Sequence, residues 1–462
     1  MARTPLSSVD AAWLRMEDPT NLMMVTGVLL FEERLDQAAL RGVIEERLLA
    51  FPRFRCRAEE PPLGIGPPQW VSDRRFDLDA HLHHVAPPEP GDKAALETLV
   101  SDLMSTPLDF TKALWQVHLV DYGKGSAVVA RIHHCIADGI ALIQVLLSLT
   151  DTSPTAGHRP PHTPASEPSS ESTAHSLLRG VRRLAEGGLG LVREPSRALG
   201  MAAMGAAAAG TLAQMSLLSP DPKTPLKGPL GTSKRAAWSE PIPLPEVKAA
   251  GARHGATIND VLVSAAAGAL RRYLLERGED VSDLEIRVAV PVNMRPLEEA
   301  LKLGNQFGLV LLALPLGIAD AHGRLAEVKR RMDDLKASVQ PGVALGMLSV
   351  LGYAPSAVQP LALQFFGSKA SAVLTNVPGP REQLYLAGKS LKQAMFWVPQ
   401  SARLGLGISI LSYNGEVMVG VASDTGLVPD PERIVAGFKS DLDDLLAQGG
   451  RRRTAARSRV RR

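Results

Sequence analysis

At 462 residues, 45% hydrophobic and 21% charged, the chain has enough apolar material for two or three domains and falls outside the disordered class. A formal net charge of +3 gives no general electrostatic case for nucleic-acid binding. Cys56 and Cys135, the two cysteines, cannot form a disulfide framework in a chain this long, and the early charges of MARTPLSSVDAAWLRMED leave no signal-peptide core; the expectation is a cytosolic protein.

Residues 25–31 (VTGVLLF) are predicted as a strand and residues 35–48 as a helix with a charged face. Residues 115–120 and 126–132 are two further strands, joined by the turn DYGKG, which has hairpin composition. His133 and His134 stand at the end of the second of these strands. Asp138-Gly139 follow, and residues 140–149 then form an apolar helix. Together residues 1–151 are expected to be one α/β domain.

Residues 152–178 are rich in Pro, Ser and Thr and form the best linker in the chain. A second domain is expected over 179–450. It starts with a basic amphipathic stretch, followed at 199–220 by a segment without charge. Its Ala and Gly content favours a packed or surface-lying helix over a membrane span. Residues 256–275 are a helix, capped by Thr257 or Asn259. Strands are predicted at 286–292, 309–316, 372–377, 405–411 and 417–422, the last two joined by a hairpin at Asn414-Gly415. Residues 340–366 are uncharged and carry prolines, which argues against one spanning helix and fits ordinary core or the wall of an apolar cavity. A helix over 433–446 closes the domain. The basic tail at 451–462 is expected to be solvated, with weak contact to anionic lipid as a secondary role.

The chemistry concentrates in His133-His134-Cys135-Ile136-Ala137-Asp138-Gly139. Two adjacent histidines diverge at a strand end, and the set lacks the i, i+4 pair of helical zinc sites, so no metal is expected. Cys135 lacks an activating partner in the sequence and is taken as a small hydrophobe. General-base catalysis fits best: one histidine takes the proton of an acceptor hydroxyl or amine as it attacks an activated acyl carbonyl. Asp138 would orient the imidazole or fix the loop by pairing with an arginine.

With these residues the chain resembles the bacterial wax ester synthase/diacylglycerol acyltransferase family, within the CoA-dependent acyltransferase superfamily. LSSVDAAWL at 6–14 resembles its N-terminal signature, and Ala113-Leu114-Trp115 its Pro-Leu-Trp element. The HHxxxDG motif fits without departure. Asn259-Asp260 sits in the matching helix, and GNQFG at 304–308 and NVPGP at 376–380 resemble two C-terminal signatures. Ala113, and Lys227 where Asn is more usual, depart from the pattern and bear on substrate preference.

The resemblance implies an α/β fold of two pseudo-symmetric domains, with mixed sheets flanked by helices, meeting at a central tunnel. It implies His134 as general base, with His133 and Gly139 in the same motif and Asp138 paired to an arginine, for which Arg295 is the candidate. The donor would be long-chain acyl-CoA, a substrate in a reaction with no cofactor. The acceptor would be a fatty alcohol or diacylglycerol, met at a membrane or lipid-inclusion surface on the cytoplasmic side. Asn259 and main-chain N–H groups near Gly139 are candidate oxyanion donors, with Asp260 a supporting residue beside Asn259, although Asn259 and the NVPG turn read more readily as structural. Two alternatives accompany this reading: a condensation-type enzyme using a carrier-bound donor or another acceptor, and a non-enzymatic lipid-surface protein of the same fold.

Overall fold

Two mixed sheets carry the architecture. In a computed structural model, residues 3–61, 67–155, 218–293, 303–305, 307–337, 364–365, 367–400 and 404–459 are described. The first sheet runs β13 (Tyr385–Leu386), β14 (Lys389–Trp397), β2 (Met24–Phe31), β7 (Gly125–His133), β6 (Trp115–Tyr122), β5 (Leu82–Val85). The second runs β11 (Phe307–Pro315), β10 (Glu285–Asn293), β12 (Ala372–Pro378), β15 (Leu406–Tyr413), β16 (Glu416–Asp424), β8 (Lys234–Trp238), with β9 (Ile242–Pro243) also on β16. A small third sheet joins β1 (Arg3–Pro5), β4 (Gln69–Ser72) and β3 (Cys56–Glu59).

β7 occupies the middle of the first sheet and is buried along its whole length. Its Ala, Val and Ile residues suit a strand covered on both faces. It pairs antiparallel with β2 and β6, in a register that sets Met24 opposite His133 and Trp115 opposite Ile132. The two histidines are therefore delivered at the rim of a rigid sheet.

The chain then turns into α4 (Gly139–Ser148). Asp138 is the N-cap of α4, in extended conformation, and its carboxylate accepts from the N–H of Ala141. The end of the motif is thus a helix start, with Asp satisfying an otherwise orphan donor.

Around the sheets lie α1 (Ser8–Arg15), α2 (Gln37–Val43, continued by a π turn), α3 (Lys93–Ser105), α5 (Leu244–Arg253), α6 (Ile258–Glu276), α7 (Ala321–Ala337) and α8 (Pro431–Arg459). One large apolar core packs beneath the first sheet and another beneath the second. A smaller group, Ala289, Ala370, Val373 and Leu404, lies against Val398.

Two expectations change and a third is narrowed. Residues 389–397, placed by sequence in the second domain, form β14 and pair with β2 of the first sheet over Leu391–Trp397. The division at 151 and 179 is thus one of sequence and not of sheets. The basic end, expected as an unstructured tail, continues α8 to Arg459; Arg and Ala are good helix formers. The cap of α6 is Thr257, in a reciprocal capping box with Asp260. Most of the linker, the segment 199–217 and the segment 338–363 lie outside the described residues, so the packed helix expected of the second and the core or cavity wall expected of the third fall there.

Candidate active site

His134 follows the last residue of β7, and its main-chain N–H donates to the carbonyl of Met23 (2.8 Å). Its side chain is nearly enclosed, at 4% exposure. One face of the imidazole stacks on Trp13 of α1, with centroids 3.9 Å apart and planes 18° from parallel. Phe307, the first residue of β11, lies 5.7 Å away. Removal from water disfavours the charged ring and pushes its pKa down to about 3, opposed in smaller measure by its own main-chain carbonyl and by the Asn305 side chain. The ring is accordingly neutral throughout the physiological range.

His133 points elsewhere and is fully buried. Its Nδ1 accepts from the N–H of Cys135 (3.1 Å), so the proton of the neutral ring resides on Nε2, 3.4 Å from the Glu17 carboxylate. Phe110 meets it edge-on at 5.7 Å. This histidine is held by a hydrogen bond at Nδ1 and packed by Phe110.

The turn between His134 and Asp138 is gripped from three directions. Asn305 Nδ2 donates to the His134 carbonyl (3.0 Å) and to Asp10 Oδ1 (2.7 Å). Arg53 donates to the Ile136 carbonyl (2.6 Å) and pairs with Asp10 Oδ2 at 3.1 Å. The Asp138 N–H donates to the carbonyl of Gly304 (3.2 Å). Gly304 has φ +123°, a conformation that L side chains rarely adopt. Asp10 has no exposed surface; burial raises its pKa, while Arg53 and Asn305 act in the opposite direction. A buried carboxylate needs this pairing, since an uncompensated charge there is strongly destabilising.

Gly139 opens α4 opposite Val398, and a Cβ added there would lie 3.1 Å from Val398 Cγ1. Cys135 is buried, and burial pushes its thiol well above the usual range, so it holds no thiolate nucleophile. Asn259 and Asp260 are not gathered to His134 by the contacts of the described residues. Asn259 Oδ1 accepts from Asn376 Nδ2 (2.7 Å), joining two of the sequence signatures, and Asp260 closes the capping box. Arg295 lies outside the described residues. No group of three or more His, Cys, Asp or Glu suited to a metal occurs among the described residues.

A family model described as the wax ester synthase/diacylglycerol acyltransferase catalytic domain matches residues 6–262, and the corresponding C-terminal domain model matches 303–446. The chain belongs to the wax ester synthase/diacylglycerol acyltransferase family. Among its relatives is a probable diacylglycerol O-acyltransferase of Mycobacterium tuberculosis, 29% identical over 98% of both chains. A second, putative diacylglycerol O-acyltransferase of that organism is also 29% identical, over 96% of this chain and 90% of the relative. The wax ester synthase/diacylglycerol acyltransferase from Marinobacter aquaeolei VT8 shares the fold with a TM-score of 0.69 at 23% identity, covering 97% of this chain and 100% of that one. The first condensation domain of the calcium-dependent antibiotic synthetase shares it at 0.61 and 14% identity, with 96% of each chain covered. The two-domain α/β acyltransferase architecture is therefore observed, and the chain is an O-acyltransferase that takes acyl-CoA and an acceptor lipid.

Asp10, Trp13, Arg53 and Asn305 received no role from sequence. Asp10 carried a signal: it is a lone acid among the apolar residues of VDAAWL. Arg53 carried none, because PRFRCR has ordinary surface composition.

Proposed function

We propose that the protein esterifies a long-chain fatty alcohol or a diacylglycerol with the acyl group of long-chain acyl-CoA, and that Nε2 of His134 is the general base. The observation that carries this is the asymmetric seat of the imidazole. The Nδ1 side is buried against protein, and the ring is held neutral. The acceptor hydroxyl gives its proton to Nε2 as its oxygen bonds to the thioester carbonyl carbon. The tetrahedral intermediate expels CoA thiolate, and the imidazolium returns the proton to sulfur, so the ring ends neutral.

The N–H groups of the first two residues of α4, Gly139 and Ile140, precede the first intrahelical bonds and support a role as oxyanion donors, the third being held by Asp138. His133 and Asp138 act by positioning the turn. The activated thioester supplies the driving force, so no cofactor enters the scheme.

We infer peripheral contact with a membrane or lipid inclusion, because both products and acceptors partition there. No helix of the described residues is long and apolar enough to cross a bilayer, and the basic sequences at 179–198 and 451–462 favour anionic lipid. Full-length protein incubated with radiolabelled palmitoyl-CoA, hexadecanol and dioleoylglycerol should release CoA and form ester in equal amounts. Adding anionic vesicles should carry the activity into the vesicle-bound fraction. His134→Ala should lower kcat by roughly 10²- to 10⁴-fold while vesicle binding persists. CoA release without ester, or an active His134→Ala variant, contradicts the assignment; activity indifferent to vesicles contradicts the surface contact alone.

A further inference from the structure

We propose that Lys234 and Asn21 are positioning residues for His134, acting through the loop 17–23 that joins α1 to β2. The role rests on His134 as the general base and adds what holds the main chain of that residue in place.

The loop meets both histidines of the motif. The carbonyl of Met23 accepts from the His134 N–H (2.8 Å). The N–H of Met23 donates to Glu17 Oε2, the same oxygen that lies 3.4 Å from His133 Nε2. Met23 is therefore held at both main-chain groups, and a shift of the loop moves the strand end that carries the motif. Asp18 closes the loop into a tight turn. Its carbonyl accepts from the Asn21 N–H (2.7 Å), and its carboxylate accepts from the N–H and the hydroxyl of Thr20. Residues 18–21 thus move as a unit.

The far side of this turn is fastened to the second sheet. Lys234, the first residue of β8, is buried, and its ammonium donates to the Thr20 carbonyl (2.7 Å), the Gly231 carbonyl (3.0 Å) and Asp424 Oδ2 (2.7 Å). A buried ammonium is costly unless each of its three protons has an acceptor, and the Thr20 carbonyl takes the third. Asn21 is buried as well. Its Nδ2 donates to the Gln400 carbonyl (2.6 Å), and Gln400 Nε2 donates to the carbonyl of Ala422 in β16 (2.8 Å). Thr20 and Asn21 are adjacent, so two separate ties converge on one turn. The anchor is itself fixed, because the N–H groups of Lys234 and Ala236 donate to Ser105 (2.8 Å) and Ser101 (2.9 Å) of α3. Lys234 and Asn21 act through Met23 and not on the ring.

The test uses the full-length protein, with steady-state kinetics on palmitoyl-CoA and hexadecanol and residue-resolved amide hydrogen exchange. Asn21→Ala removes one tie without stranding a charge. Lys234→Met removes the other and leaves the buried Asp424 carboxylate unpaired. In both variants kcat should fall roughly 10- to 100-fold, the scale of a misplaced reacting group, with KM for acyl-CoA changed less than about threefold. The His134 amide should exchange about tenfold faster relative to the Ala130 amide in the middle of β7, since only the strand end is released. Because the ties converge, the double variant should lose no more than about threefold beyond the worse single variant. Unchanged kcat in Asn21→Ala, equal acceleration of the His134 and Ala130 amides, or multiplied losses in the double variant overturns the role. Should Lys234→Met not fold, Asn21→Ala decides by kinetics and exchange. Exchange does not depend on turnover, so failure of the general-base reading is recognised separately, by an active His134→Ala variant.

Discussion

At the scale of single residues, the two histidines of the motif are opposites in environment. His133 is locked by Cys135 N–H on one nitrogen and faces Glu17 on the other, whereas His134 has its Nδ1 side closed and a Trp13 face to stack on. The sequence could point to the pair and to base chemistry, but nothing local to it ranks the two rings. That ranking comes from α1 and from Asn305, 171 positions away. Cys135, between them and the helix, is the residue on which a covalent alternative would depend. Its thiol is buried and held protonated by the loss of solvation, so Cys135→Ala should retain kcat within about threefold and cost about 1 kcal/mol for the lost packing. Iodoacetamide should leave the native protein active. Inactivation that tracks labelling of Cys135 would restore the covalent route.

At the scale of elements, what was legible in the sequence was whatever a local pattern encodes. The β6–β7 hairpin, the apolar α4 and the long α6 were readable because composition, turn residues and caps all agree within a dozen positions. β14 was not. KSLKQAMFW mixes charges with apolar residues, as an antiparallel strand does when only part of it is covered, and its partner β2 is more than 350 positions earlier in the chain. Asp138 illustrates the other limit. Its place in the motif suggested that it orients the imidazole or pairs with an arginine, while its side chain caps α4 by accepting from Ala141 N–H. Asn caps as well as Asp, and Ala does not. Asp138→Asn should therefore keep thermal stability close to wild type, and Asp138→Ala should lose about 1 kcal/mol, measured by urea unfolding. Equal losses in both variants would show that charge at this position outweighs the cap.

At the scale of the whole molecule, the catalytic turn is assembled by both halves of the chain. β14 completes the first sheet from residues 389–397, and Gly304 and Asn305 hold the turn after β7. The sequence signatures foretold two lobes but not this exchange, because pairings between distant segments leave no periodicity to read. Its consequence concerns folding. A fragment ending before residue 218 keeps HHxxxDG yet lacks the strand that covers the β2 edge, and an uncovered edge in a buried sheet is prone to aggregate. It also lacks Asn305, which leaves the buried Asp10–Arg53 pair without one of its ties. Residues 1–217 expressed alone should therefore be insoluble or inactive, as should 218–462, whose β14 would keep only the short β13 beside it and lose β2. Co-expressed, the two fragments should copurify and recover ester synthesis, since the pairing of β14 with β2 and the grip of Asn305 on the His134 carbonyl are non-covalent. Pulling on an affinity tag at the end of one fragment reports the association, and product analysis reports the site. A soluble, cooperatively melting 1–217 fragment would mean that the first sheet closes without β14, and the coupling between halves argued from the strand order would then be wrong.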